Sequence, residues 1–284
     1  MRKSRRRVAG SVARIVGGTG AAAVLGAAVT LLGQGQPAGA AQVSPAAPVG
    51  PAVSAAAAAA ASPALPAARD AAARFVPPGH VLRVGDHGAA VRSVQRRLAQ
   101  LHYFPGKADG RFGAHTQEAV WAFERVQGLT ITAANSGEIT RAAERDLARP
   151  RSPKVLEPHG SGWRIEVNKK TEVLVLYRHG KIELISHVST GAGCLPDQGC
   201  GWNTPTGRYR AEDFMPGWVH VPLGEMFNPV FFIGTVFAIH GDTVVPWYAD
   251  SHGCVRIPMF IAQFFHHRVH VAASGGTPVI ISNG

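Results

Sequence analysis

The hydrophobic period of this chain changes once, at about Lys154, and that change decides what the chain can fold into. Before it, Val91, Val94, Leu98 and Leu101 recur at helix spacing, with Arg92, Gln95, Arg96 and Arg97 on the other faces. After it, Trp163, Ile165 and Val167 alternate with Arg164, Glu166 and Asn168, as in a half-buried strand. A helical part is therefore followed by a β part.

The helical part runs over 80–150. Thr116 is placed to cap a second helix with Val120, Phe123 and Val126 on its buried side. A third helix is expected after Gly137, with Ile139, Ala143 and Leu147 inward. Between the first two lies Lys107-Ala108-Asp109-Gly110-Arg111-Phe112-Gly113, a tight Asp-Gly turn with a second glycine. The expectation is a small three-helix N-terminal module.

The β part runs over 154–284. Val173 to Tyr177 and Lys181 to Val188 flank a turn at His179-Gly180, which predicts a hairpin. Further strands are expected at Gly207 to Ala211, Phe231 to Ile233, Val236 to His240 and Pro278 to Ile281. Only Met259 to His266 has the pattern of a helix. Many short strands and one helix predict a mainly β domain, sandwich-like.

Upstream, Arg2, Lys3, Arg5, Arg6, Arg7 and Arg14 head an uncharged Ala/Val/Leu/Gly run, Ile15 to Leu32, and Ala38-Gly39-Ala40 offers a signal-peptidase site. Residues 1–40 thus predict a signal peptide, with an uncleaved N-terminal anchor as the alternative. Only in that second case is a membrane a partner. Either way the protein is expected to be exported, to an extracellular, cell-wall or periplasm-like space. Residues 41–79 are an Ala/Pro-rich linker whose prolines at 45, 48, 51, 63 and 66 cut the polyalanine run short. Six of the basic residues lie in 1–40, leaving +5 of the net +11. That modest excess suits an anionic envelope polymer. No nucleic-acid motif appears, and no nucleic acid is expected as partner.

The cysteines are Cys194, Cys200 and Cys254. In an oxidising compartment an odd count leaves one thiol over. Cys194 and Cys200, six apart in a loop-like stretch, can close a small ring as a disulfide, which leaves Cys254 free; three reduced thiols are the alternative. Cys254 lies in Ser251-His252-Gly253-Cys254-Val255-Arg256, and His240 ends the apolar strand Phe237-Ala238-Ile239 fourteen residues upstream. A nucleophilic thiol needs a base, which His240 can supply. It needs a turn that exposes the sulfur, which Gly253 permits. It also needs N–H groups for a developing oxyanion, expected from the backbone of His252, Gly253 and Cys254. Arg256 is expected to brace the loop or to meet a substrate carboxylate. Trp202, Trp218, Trp247 and Tyr248 fall in loops and are candidates for a cleft lining or for core filler. His266 and His270, four apart, lack an evident third ligand, and no metal is expected.

Two resemblances rest on these residues. Leu82-Arg83-Val84-Gly85-Asp86, Gly88, Val91, Val94 to Leu98, Asp109 to Gly113, Thr116, Ala119-Val120, Phe123 and Gly128-Leu129 resemble the peptidoglycan-binding domain 1 family, with Glu124 where that family usually has Gln. Val188-Ser189-Thr190-Gly191, Thr204-Pro205-Thr206-Gly207, Ile239-His240-Gly241 and Ser251 to Arg256 resemble the L,D-transpeptidase catalytic domain of the YkuD type.

The second resemblance implies Cys254 as nucleophile and His240 as base, oriented by the Gly241 carbonyl, with Asp242 as an alternative contact. It places His252 and Gly253 in the oxyanion pocket and Arg256, Ser251 and Gly241 on the substrate side. It implies peptidoglycan stem peptides as donor and acceptor, no cofactor, acylation by carbapenem-type inhibitors, and 3→3 cross-links made through a thioester. An L,D-carboxypeptidase using water, and a non-catalytic peptidoglycan-binding protein, are the competing readings.

Overall fold

The computed structural model describes residues 75–158 and 160–284. The expected leader and nearly all of the linker lie outside these. The linker's end, however, already belongs to the fold, because Phe75 packs against the helical core.

Three helices form where the apolar spacing puts them. α1 (Ala89–Gln100) buries Val91, Val94 and Leu98; α2 (Ala114–Gln127) buries Ala119, Val120 and Phe123; α3 (Arg141–Ala148) buries Ala143 and Leu147. α2 stops at Gly128, whose φ of 76° suits a residue without a Cβ. The Thr140 side chain caps α3 by accepting the Ala143 N–H.

Two expectations fail here for the same reason. Thr116 is not a cap, since α2 begins after Gly113; its hydroxyl is buried and accepts from Gln95 Nε2 at 3.0 Å. Gln95 is not on an outer face: it is 1% exposed and also binds the Asp109 carboxylate, the Arg111 carbonyl and the Gly110 N–H. A buried amide with several donors and acceptors satisfied can replace an apolar residue in a core. It fixes the Asp-Gly turn from inside.

The β domain is a sandwich, as expected, with twelve strands. They are β1 (Trp163–Asn168), β2 (Val173–Arg178), β3 (Lys181–His187), β4 (Gly193–Leu195), β5 (Gly199–Trp202), β6 (Gly207–Arg210), β7 (Asp213–Phe214), β8 (Trp218–Val221), β9 (Gly224–Ile233), β10 (Phe237–Asp242), β11 (Val255–Pro258) and β12 (Pro278–Ser282). One sheet has the order β3-β2-β1-β12-β6, the other β11-β10-β9-β7 with β8 on β9, and β4-β5 is a separate hairpin. Ile165, Val167, Leu174 and Leu176 of the first sheet meet Val230, Phe232, Ile239, Val255 and Ile257 of the second, and α4 (Met259–Phe265) closes the core with Ile261, Phe264 and Phe265. The strand expected at Phe231 to Ile233 is the end of the ten-residue β9. The stretch read as a loop around Cys194 and Cys200 is the β4–β5 hairpin, and Trp202 and Trp218 lie in strands.

β2 is buried on both faces. Leu174 and Leu176 point into the sandwich, while Val173, Val175 and Tyr177 share a second core with Val94, Leu98, Tyr103 and Phe123 of the helical module. This explains why Val173 to Tyr177 is apolar without a break, the pattern of a strand covered on both sides. The Ile185 N–H donates to the His102 carbonyl at 2.8 Å, so the module also meets the edge of β3. Arg164 and Glu166 pair at 2.8 Å in the buried zone, and Glu166 accepts the N–H of Leu156 and Glu157, which fastens the connecting segment. The described residues fall within one compact unit, 58–284.

Candidate active site

β10 and β11 run parallel, pairing Ile239 with Val255 and His240 with Arg256. Side chains alternate along a strand. His240 and Asp242 therefore point to the same side of the sheet as Cys254 and Arg256, and all four line one cleft of about 650 Å³. Trp202, Trp218, Leu223, Met226 and Val236 form its apolar walls.

The imidazole of His240 is buried, and its Nδ1 lies 3.0 Å from the Gly241 carbonyl oxygen. A carbonyl only accepts, so the proton sits on Nδ1 and Nε2 carries the lone pair. Asp242 is not the partner of this ring. Its carboxylate pairs with Arg256 Nε at 3.1 Å, and Asp250 stands 3.8 Å from Arg256 Nη1.

Cys254 is a free, half-buried thiol, and Cys194 and Cys200 form a disulfide. The Cys254 Sγ lies 3.8 Å from the Val236 carbonyl. Burial pushes the thiol up from its ordinary value, against the Ala238 N–H and the charge of Arg256. Burial also lowers His240, against the Gly241 carbonyl and Asp242. Both shifts favour the uncharged form. Burial thus works toward a thiol and a neutral imidazole rather than a standing thiolate held by a charged histidine.

The turn before Cys254 is fixed by hydroxyls. Ser251 Oγ donates to the Cys254 carbonyl at 2.6 Å and accepts the Gly253 N–H at 3.0 Å. Thr204 Oγ1 donates to the Gly253 carbonyl at 2.7 Å and accepts the Gly191 N–H at 2.8 Å. Gly253 has φ of 133°, and a Cβ there would stand 2.6 Å from the Phe237 ring. Only glycine fits.

The family model described as the L,D-transpeptidase catalytic domain matches residues 162–281, which contain this whole cleft. The β domain is thus similar to the L,D-transpeptidase catalytic domain. The model described as a putative peptidoglycan binding domain matches 87–143, the helical part. Among solved structures, the L,D-transpeptidase of Xylanimonas cellulosilytica DSM 15894 is 28% identical at a TM-score of 0.64, over 73% of this chain and 100% of that one. The L,D-transpeptidase (Yku) of Stackebrandtia nassauensis is 20% identical at a TM-score of 0.41, over 71% of this chain and 94% of that one. No curated protein matches this chain.

Several expected site residues of the L,D-transpeptidase domain sit differently from their expected roles. Ser251 is 1% exposed and braces the turn at the cleft wall. Gly241 is buried against Ala262, Phe227 and Met259; it serves through its carbonyl and leaves no room for a Cβ, which would lie 2.6 Å from Ala262. The N–H of Gly253 is engaged by Ser251, which removes it from the expected set of oxyanion donors. Arg256 pairs with Asp242 at 3.1 Å and lies 3.8 Å from Asp250, which fits the expected bracing of the loop, and it also lines the cleft. His252 lies over the mouth of the cleft, bonded through Nε2 to Gln198 Oε1 at 2.6 Å and edge-on to Trp202 at 4.8 Å.

Other residues escaped the sequence reading. Glu172 binds the N–H and hydroxyl of Thr190, both at 2.7 Å, and Thr190's carbonyl accepts the N–H of Asp250 and Ser251. Thr204 lies in the Thr204-Pro205-Thr206-Gly207 motif, whose residue types do not show its bracing role, and Glu172 and Gln198 carry no sequence signal. His266 stacks flat on Phe214, 4.4 Å between centroids.

Proposed function

We propose that this protein is a cell-wall L,D-transpeptidase that forms 3→3 peptidoglycan cross-links through a thioester on Cys254. The observation that carries the proposal is a free thiol, Cys254, lining the same cleft as His240, an imidazole whose Nδ1 is tied to a backbone carbonyl. His240 Nε2 takes the thiol proton as the sulfur attacks the carbonyl of the third residue of a donor tetrapeptide. The carbon–nitrogen bond to terminal D-Ala breaks, and the departing amine receives the proton from His240. The amine of a neighbouring stem's third residue then attacks the thioester and gives its proton to His240, which passes it to the departing sulfur and restores the thiol and the neutral imidazole. A neutral resting pair suits this cycle, because the charge forms only when substrate excludes water from the cleft.

The N–H groups of His252 and Cys254 are the oxyanion donors in this reading, and His252 closes the acceptor side with Trp202. The helical module holds the enzyme on peptidoglycan and raises its local concentration there. Export to the envelope fits the basic head and apolar run of 1–40 and the Cys194–Cys200 bridge. Carbapenems, whose strained carbonyl meets the same thiol, acylate Cys254.

Product analysis tests the acceptor. Purified protein with a disaccharide-tetrapeptide should yield a dimer joined between third residues. Tripeptide alone, with no dimer, would make the protein an L,D-carboxypeptidase. No product of either kind from folded protein would leave a wall-binding protein without this activity.

A further inference from the structure

The loop between His240 and Cys254 is held by side chains from outside it. His187 Nε2 bonds the Val245 carbonyl at 3.0 Å, and Ser189 Oγ donates to the Tyr248 carbonyl at 2.7 Å. The Trp247 carbonyl between them accepts from Arg125 Nη2 at 2.8 Å. His187 and Ser189 belong to the β domain. Arg125 does not: it stands on α2 of the helical module, 122 residues earlier in the chain.

The contact is built, not incidental. The Arg125 guanidinium lies over the Trp247 ring, 5.5 Å from its centre. Trp121, four residues earlier and so on the same helix face, is set edge-on against His187 at 5.2 Å. Arg125 Nε is buried without a hydrogen-bond partner. A guanidinium accepts that desolvation only where its other contacts hold it in place. Its charge also faces Glu172, the carboxylate that fixes Thr190. Thr190 in turn receives the N–H groups of Asp250 and Ser251, and Asp250 meets Arg256. Arg125 thus holds the loop at Trp247 while Thr190 holds it at Asp250 and Ser251, just before the turn that carries Cys254.

We infer that Arg125 is a positioning residue for the reaction at Cys254, so that the peptidoglycan-binding module is a structural part of the active site as well as a wall anchor. The kinetic half of this inference rests on the transpeptidase reading; the structural half does not. By holding the Trp247 carbonyl, Arg125 sets the register of 243–250 and with it Asp250 and Ser251. Lysine keeps the charge and one donor but loses the planar fork and its stacking on Trp247.

The test compares the full mature chain with Arg125→Lys and Arg125→Met, by amide hydrogen exchange and by steady-state turnover on a disaccharide-tetrapeptide. In Arg125→Met, exchange at 243–252 should quicken about tenfold or more while the amides of β1 and β12 keep their protection. Turnover should fall about tenfold in kcat with KM within about threefold, since ground-state binding is left in place. Arg125→Lys should lie between the two in both readouts. If Arg125→Met does not fold, the graded change in Arg125→Lys decides. Folded variants with wild-type exchange at 243–252 would overturn the clamp, and faster exchange with unchanged kcat would overturn its role in the reaction. A wild-type chain without turnover would strike the transpeptidase reading instead, and exchange would still decide the clamp.

Discussion

His240 and Arg256 stand directly opposite each other where β10 pairs with β11. Cys254 comes immediately before β11 and lines the same cleft as both. Base, thiol and arginine are therefore set by one strand pairing, and Arg256 holds Asp242 of one strand and Asp250 of the loop. Arg256→Lys, which cannot serve both carboxylates with a fork, should lower kcat about tenfold or more and stability by about 1–3 kcal/mol. Turnover and urea unfolding measure the two effects. An unchanged kcat would show that this arginine does not set the turn.

The neutral resting pair has a signature in pH. Burial raises the Cys254 thiol and lowers His240. Alkylation of Cys254 by iodoacetamide should rise with an apparent pKa above the ordinary cysteine value. The acid limb of kcat/KM should lie below the ordinary histidine value, because the base stays unprotonated to lower pH. A thiol that alkylates with an apparent pKa several units below the ordinary one would establish a standing thiolate–imidazolium pair instead.

Thr204 is wholly buried and joins the Gly253 carbonyl to the Gly191 N–H. Thr204→Val keeps the shape and leaves both backbone groups without this partner. The expected cost is about 1–3 kcal/mol in unfolding free energy, with a drop in kcat as the Cys254 turn loosens. Thr204→Ser, which keeps the hydroxyl, should restore most of the activity. If Val and Ser behave alike, the hydroxyl does not hold the turn.

Glu124 gives the helical module a pH dependence of its own. Its carboxyl is 1% exposed, burial raises it to about 8, and Oε2 has no hydrogen-bond partner. A carboxyl raised in the folded state binds more protons there than in the unfolded chain. Stability is therefore greatest below the ordinary glutamate value and is lost as pH rises through about 8. Glu118 and Glu172, both raised to about 7 by burial, add to the same slope. Glu124→Gln removes the charge at every pH. It should stabilise by about 1–3 kcal/mol on the alkaline side of that range and little on the acid side. Melting curves across that range check it; an equal effect at both ends would locate the cause elsewhere.

Much of the sandwich was legible because alternation and turn chemistry are local signals. The Val173 to Tyr177 and Lys181 to Val188 hairpin, β10, β12 and α4 all stood in the apolar pattern. β4, β5, β7 and β8 did not: they are short, largely exposed and, in β4 and β5, rich in glycine, so they carry little of the apolar alternation that marks a strand. β11 was hidden in the stretch read for its chemistry. At the site, Cys254 and His240 were readable as residue types at a spacing, while the Gly241 carbonyl came only from the family resemblance. The carboxylates that hold Arg256 and the hydroxyls that hold the turn were not, since each acts through a contact that no spacing reveals. The docking of the helical module was half visible: the unbroken apolar run of β2 carried it, but the alternation around it pointed to a strand with one wet face.

Intact-protein mass spectrometry during turnover of a disaccharide-tetrapeptide tests the central claim most directly. A covalent adduct equal to the donor less its terminal D-Ala is expected on Cys254, discharged by acceptor amine and absent from Cys254→Ala. Folded wild-type protein that converts the donor without this adduct, or Cys254→Ala that retains activity, would contradict it.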